Sequence, residues 1–341
     1  MTVRFTRRAF VGAAAAIPLA APSVLRAAEP LKFRWSLDTA PSHPRNQAVV
    51  DYVGKLEKAS NGALKGEVFH SGQLFADLNV SKALLQGQVE IAAPGAWTLT
   101  GLVPDCDMVQ LPYFYGVPTD VTHKATDGKP GEHINKQLEA KLGSHVLGPW
   151  IDLGYQNWYA TKTPLDKFAA LKGLKIRSPG GAAISWRIKF AGGIANTTAW
   201  PNVPLALSQG TFDAFVSTDE SCNSAKLWEA GVKYSYADHQ FMGQYIPMIG
   251  KGFWGKLSAE QQKMMKDLWA QNIGDYRKNA AASQANARKV LETNKVKFHD
   301  PSEDEAGATR KAMMADIDSL IKDAKLSPEI VKLVKESVGT A

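Results

Sequence analysis

The residue best placed to do chemistry in this chain is an arginine. In LKGLKIRSPGG (residues 171–181), Leu174 and Ile176 alternate with Lys175 and Arg177, and Pro179-Gly180-Gly181 ends the run. The alternation predicts a strand, and Arg177 falls at its carboxyl end. In open α/β sheets that is the end beyond which ligands sit. A guanidinium there presents a planar fork matched to a carboxylate, with paired charge-assisted bonds that lysine cannot copy. The plainer alternative is a solvated surface arginine.

Other chemistry is thinly represented. The sequence has no Gly-x-Ser-x-Gly elbow and no HExxH, and its seven histidines are scattered. Asp105 and Asp107 are an i,i+2 pair of a kind common in loops. With His239 they are the residues an exported hydrolase or lyase would have to use. Gly250-Lys251-Gly252-Phe253-Trp254-Gly255 satisfies GxGxxG, and Asp275 lies 20 residues beyond. That fingerprint needs its glycines to open a helix directly, whereas Phe253 and Trp254 fill the turn and Ser258 caps the next helix. Cys106 and Cys222 are too far apart in sequence to imply a disulfide, and no Cys/His spacing suits zinc. No cofactor or metal is expected.

The elements that would position Arg177 follow from periodicity. LKFRWSL (31–37) alternates as a strand, NQAVVDYVGKLEKASNG places Val49, Val50, Val53 and Leu56 on one helical face, and GEVF (66–69) reads as a second strand. A helix near 77–86 and a strand at VEIAAPG follow. The alternation predicts a largely parallel sheet with helices on both faces, and it resumes over about 145–240. Ser258 and Gln261 form a capping box before a stretch free of proline, which predicts a helix over about 258–292, long enough to brace two units. Ser327-Pro328 starts a last short helix.

The N-terminus reads as an export signal. Arg4, Arg7 and Arg8 precede a short apolar stretch, Ala9 to Ala21, and small residues at Ala27 and Ala28 offer a cleavage point. The paired arginines match the twin-arginine pattern. The formal charge of +7 includes four arginines and no acid in residues 1–28, which leaves +3 after cleavage. No basic stripe argues for nucleic acid, and no later segment is apolar enough to insert stably in a membrane. Roughly 310 mature residues exceed one comfortable core, so two domains are expected.

Several segments, taken in order, resemble the substrate-binding proteins of tripartite ATP-independent periplasmic (TRAP) transporters, the DctP family. They are APSHP (40–44), KASNGALKGEVFHSGQL (58–74), VQLPYFY (109–115), LKGLKIRSPGG, PLALSQGTFDAF (204–215) and GFWGKLSAEQQ (252–262). The resemblance implies a two-domain periplasmic-binding-protein-like α/β fold with an interdomain cleft and a long helix bracing both domains. It implies a periplasmic, non-enzymatic monomer that binds a small carboxylate and delivers it to membrane permease subunits. Domain I would comprise residues 29–153 and about 242–285, and domain II residues 154–241 and about 286–341.

For the site, the resemblance makes Arg177 the partner of a substrate carboxylate and Trp200, 23 residues on, the ring that stacks on ligand. Where the family often has a further asparagine, this chain has Ser217. A second family arginine is replaced by Gln156, or by Asn157 if the register slips. His43 and Gln73, from the matched segments, and His239 complete the candidate set. Loss of the second cation argues against a C4-dicarboxylate. Trp97, Trp158 and Trp200 would wall a monocarboxylate with a bulky or aromatic body, whereas Asp219 and Glu220 would suit an amine or sugar hydroxyls. A C4-dicarboxylate, a sugar acid, or service to a sensor instead of a transporter are the competing readings.

Overall fold

The computed structural model describes residues 29–339 together with Met1; the export signal read in residues 1–28 otherwise lies outside the described residues. The first unit opens with β1 (Leu31–Ser36), α1 (Pro44–Ala59), β2 (Leu64–Phe69), α2 (Asp77–Leu85) and β3 (Ile91–Ala92). Helices α3 (Thr119–Thr126) and α4 (Lys129–Leu142) lead to β4 (His145–Val146) and then β5 (Ile151–Tyr155). The second unit runs β6 (Asn157–Ala160), β7 (Lys175–Ser178), α5 (Ala182–Phe190), β8 (Ile194–Thr197), α6 (Val203–Ser208), β9 (Ala214–Ser217), α7 (Asp219–Ser224) and β10 (Tyr234–Tyr236). The chain returns through β11 (Met242–Tyr245), β12 (Met248–Ile249) and α8 (Lys251–Trp254) to α9 (Ala259–Thr293). It ends with β13 (Lys297–His299), α10 (Glu303–Ala315), α11 (Ile317–Ala324) and α12 (Pro328–Val338).

Two large sheets result, in the orders β2-β1-β3-β12-β4 and β13-β10-β6-β9-β7-β8, with β5 and β11 forming a separate two-stranded pair. Both are mixed, not largely parallel as the alternation predicted. In the first, β1, β2 and β3 are parallel but β12 runs antiparallel to β3 and β4. In the second, β6 opposes β9 and β10. The reason lies in chain path: β6 and β12 are entered from the other unit, not from a crossover helix. The strand expected over VEIAAPG shrinks to Ile91–Ala92.

The two crossings between sheets pair with each other. β5 leads out and β11 leads back, antiparallel, with a register shift between Gly243 and Gln244. α9 lies across this ribbon. Its capping box forms as read, with Ser258 and Gln261 bonded reciprocally, and its 35 residues span about 52 Å at 1.5 Å per residue. One end packs on the first unit, where Trp269 meets Trp35 and Tyr52 at centroid distances of 6.1 and 5.2 Å. Truncating such a buried tryptophan costs on the order of 3–5 kcal/mol. Towards the other end, Gln284 donates to the Leu153 carbonyl at 2.5 Å and accepts the Glu220 N–H at 2.9 Å, so one side chain holds both the ribbon and α7. Gly154 is needed beneath it: its φ is +130°, and a Cβ there would sit 2.4 Å from the Gln284 amide.

The GxGxxG segment forms only the four-residue α8, capped by Gly250, in place of a pyrophosphate-binding helix. The final helix α12 packs on α3 and α4, on the first unit's side. Cys106 and Cys222 are buried free thiols. Among the described residues no helix is long and apolar enough to cross a membrane.

Candidate functional site

Arg177 lies on β7, between β8 and β9, in register with Asn196 and Phe215. The strand is more buried than alternation suggested: Ile176, Arg177 and Ser178 are all inaccessible, and only Lys175 reaches solvent. Pro179-Gly180-Gly181 then turns the chain into α5 with φ of +123° and +84° at the glycines. Asp107 receives that turn by accepting the Ala183 N–H at 3.0 Å, which gives it a capping role. Asp105 holds Ser327 and Gln137. The carboxylate pair is therefore engaged in structure, not convergent on a reaction centre.

The Arg177 guanidinium, 1% exposed, is held at its inner edge. Nε donates to the Thr198 carbonyl at 2.9 Å and Nη1 to that of Val216 at 3.2 Å. Nη2 has no hydrogen-bond partner among the described residues. The indole of Trp200 lies 5.6 Å from the guanidinium carbon, within cation–π range. Burial pulls the Arg177 pKa down to about 10, with Asp77 opposing the shift, so the group remains a cation at neutral pH.

A small cavity of about 20 Å³ opens at this unpaired nitrogen. Trp97, Trp200 and Tyr245 give it rings, while Gln156, Ser217 and Ser221 give it polar groups, and Asp38 and Asp77 line it with acid. The Trp97 Nε1 and Gln156 Nε2 atoms are also buried and unpaired. Three hydrogen-bond donors without acceptors thus border one cavity, an arrangement suited to a ligand rich in acceptor oxygens.

The other candidates separate cleanly. His43 caps α1 through Nδ1, which accepts the Arg45 N–H, and its Nε2 lies 3.3 Å from Ser221 Oγ. Burial holds it well below the usual histidine range, so the neutral ring donates to Ser221 from behind the cavity wall. Trp158 is not a wall: it is fully buried in the core, with its indole donating to Asp238 at 2.9 Å. Gln73 is exposed in a turn outside the cavity. Asn157 accepts the His239 N–H at 3.1 Å, and both line a different, larger groove between the crossover ribbon and α9. Asp219 lines that groove too. In contrast to the Arg177 cavity, none of the groove's lining side chains carries an unpaired buried polar atom. His123 pairs with Asp152 and Arg277 with Asp127.

Asp38, Thr39, Asp77, Ser221 and Tyr245 escaped the sequence reading. Asp38 carries the one usable signal, since it follows a strand's carboxyl end just as Arg177 does. Asp77 reads simply as an acid in a helix's first turn.

Residues 36–323 match the profile of the DctP family, described as bacterial extracellular solute-binding protein, family 7. The chain is 28% identical to the C4-dicarboxylate-binding periplasmic protein DctP of Rhodobacter capsulatus, over 98% of this chain and 99% of that protein. It is 26% identical to the 2,3-diketo-L-gulonate-binding periplasmic protein YiaO of Escherichia coli, over 75% and 76%. Among solved structures, the sugar acid binding protein DctPAm from Advenella mimigardefordensis in complex with galactonate superposes with a TM-score of 0.85 at 21% identity, covering 91% of this chain and 98% of that one. A TRAP periplasmic solute-binding protein from Desulfovibrio salexigens with bound orotic acid gives 0.83 at 18%, covering 90% and 98%. The chain belongs to the DctP family of bacterial extracellular solute-binding proteins, family 7, and its task is to bind a solute, not to transform one.

Proposed function

We propose that the protein captures a monocarboxylate with a bulky or aromatic body and delivers it to the membrane subunits of a TRAP transporter. The observation that carries this reading is the uneven charge of the cavity lining. Arg177 is the one cation among its lining residues, Gln156 stands where a second was expected, and Asp38 and Asp77 take up other positions. A second carboxylate would meet acid there, at a cost of like-charge repulsion in a dry site. The rings of Trp97, Trp200 and Tyr245 offer flat apolar contact for the ligand body. The bound orotic acid of the Desulfovibrio salexigens protein is a ligand of that kind, a ring bearing one carboxylate. The Rhodobacter capsulatus relative supports the competing C4-dicarboxylate reading.

In this reading the division into residues 29–153 with 242–285 and 154–241 with 286–341 sets the moving bodies, with α12 travelling with the first. Bending at β5 and β11 opens the cleft, and the ligand favours the closed state by bridging Arg177 to the first unit's wall. The closed face is what the permease recognises.

A thermal-shift screen of residues 29–341, unfolded and refolded to strip bound solute, tests the reading. A ligand at 100 times its Kd adds about 2.7 kcal/mol of stability. Aromatic monocarboxylates are expected to raise Tm and succinate to leave it unchanged, with the shift lost in Arg177→Ala. A larger shift with succinate would replace the reading with the dicarboxylate one.

A further inference from the structure

Four charged side chains around the Arg177 end of the cleft form two pairs of different kinds. Asp38 and Arg45 are bonded to each other, although Arg45 Nη1 is buried without a partner. Arg45 Nη2 donates to Asp38 Oδ1 at 2.6 Å, and Asp38 Oδ2 accepts the Tyr245 hydroxyl at 3.0 Å. Asp77 and Arg177 are not bonded. Asp77 Oδ2 and Arg177 Nη2 stand 4.0 Å apart, beyond hydrogen-bond reach, and Nη2 is left unpaired. Asp77 instead accepts the Trp200 N–H at 3.0 and 3.2 Å and the Leu78 N–H. Those two donors leave about half of a carboxylate's four acceptor sites unused.

The pairs sum to zero charge. A carboxylate seated on Arg177 adds one negative charge beside Asp77, in a pocket walled from water. Two carboxylates sharing one guanidinium in such a place cannot both stay ionised unless a hydrogen lies between them. The hydrogen has two sources: the ligand or the solvent.

We infer that Asp77 selects the solute by accepting a hydrogen from a hydroxyl or ammonium group on the carbon next to the ligand's carboxylate. The substrate class is then 2-hydroxy and 2-amino acids, and acids without such a donor bind only with a proton taken up on Asp77. A donor at that carbon is adjacent to the carboxylate, so one small end of the ligand serves both partners of the 4.0 Å pair. The inference rests on the carboxylate seating on Arg177. The charged and titratable groups facing Asp77 are Arg177 from β7, Asp38 after β1, Arg45 behind Asp38 on α1, and Tyr245 of β11. Burial and then Asp38 raise the Asp77 pKa to about 6, against the pull of Arg177 and the Trp200 N–H, so a proton from solvent is within reach near neutrality.

Isothermal titration of residues 29–341 with phenylacetate, mandelate and phenylglycine, at pH 7.5 in buffers of different ionisation heat, tests it. Mandelate or phenylglycine should bind at least about tenfold more tightly than phenylacetate, because a site built to accept a hydrogen rejects the analogue that lacks one. Phenylacetate should take up about one proton and the donor-bearing acids none. Asp77→Asn should bring the three affinities within about threefold and abolish the uptake. The proton count on the unaltered protein stands even where that variant fails to fold. Equal affinities with no proton uptake, in binding that Arg177→Ala abolishes, overturn the role of Asp77 alone. Absence of binding by every acid overturns it together with the Arg177 reading.

Discussion

Arg45 and Arg177 are both fully buried guanidinium groups set near an aromatic ring, Arg45 at 3.7 Å from the Tyr245 centroid and Arg177 at 5.6 Å from that of Trp200. Each has an aspartate as its nearest acid. Their chemistry diverges over little more than an ångström. The Arg45–Asp38 contact at 2.6 Å joins residues of the same unit and forms without any ligand, with Arg45 Nη1 left over. The Arg177–Asp77 contact at 4.0 Å joins residues of different units and leaves a nitrogen with nothing to bond. Burial, charge and an unused donor thus fail to distinguish a structural arginine from a binding one, since Arg45 Nη1 is unpaired too; the distance to the acid, and the unit that acid comes from, do.

The strongest way to break the comparison is Arg45→Ala. It strands Asp38 as a buried unpaired charge, and a loss of about 3–5 kcal/mol of stability is expected by denaturant titration. A loss below about 1 kcal/mol would mean that this pair is no more structural than the other. An intermediate effect separates two tryptophans. Trp158→Phe removes a donor from Asp238 and should cost about 1–3 kcal/mol in the same titration, with ligand Kd unchanged. Trp97→Phe removes an indole N–H that has no partner, so it should weaken ligand binding more than folding. The reverse outcome would move Trp158 into the site.

The smallest expected effect sharpens the comparison through pH. The folded pKa of Asp77, about 6, lies above its ordinary value of 3.8, so the native state binds the extra proton between them. The sign follows: the stabilising contribution is complete below pH 4 and is lost as pH rises through 6. The stability difference between the unliganded wild type and Asp77→Asn should therefore fall over that interval. A flat difference would mean that Asp77 carries no such proton in the folded state.

What was legible in sequence was local. The capping box at Ser258, the cap at Ser327 and the position of Arg177 at a strand's end each depend on a few neighbouring residues, and all form as read, whereas the apolar face of α1 buries Val49, Val53 and Leu56 but leaves Val50 exposed. Strand direction was not legible, because the sense of β6 and β12 depends on which unit the chain arrives from. The far wall of the cavity was hidden for a related reason. Asp77 meets Trp200 and Arg177 only when two units come together, and Asp38 meets Tyr245 only when the chain returns to the first unit, and no periodicity encodes either meeting. Trp158 and Trp97 look alike in sequence, since an aromatic at a strand end does not declare whether it faces cavity or core.

The position of β12 bears on how the chain can be built. This strand occupies the interior of the first sheet, between β3 and β4, yet it is synthesised after every strand of the second sheet except the edge strand β13. An emerging chain therefore holds a first unit with a gap at its centre until most of its length has been made. Neither half can finish before the other has begun, so folding is a late, concerted event governed by long-range contacts and correspondingly slow. A nascent chain with so long an unfinished interval stays pliable for export machinery that threads unfolded polypeptide, and for machinery that carries only folded cargo it makes completion of β12 the step that must come first.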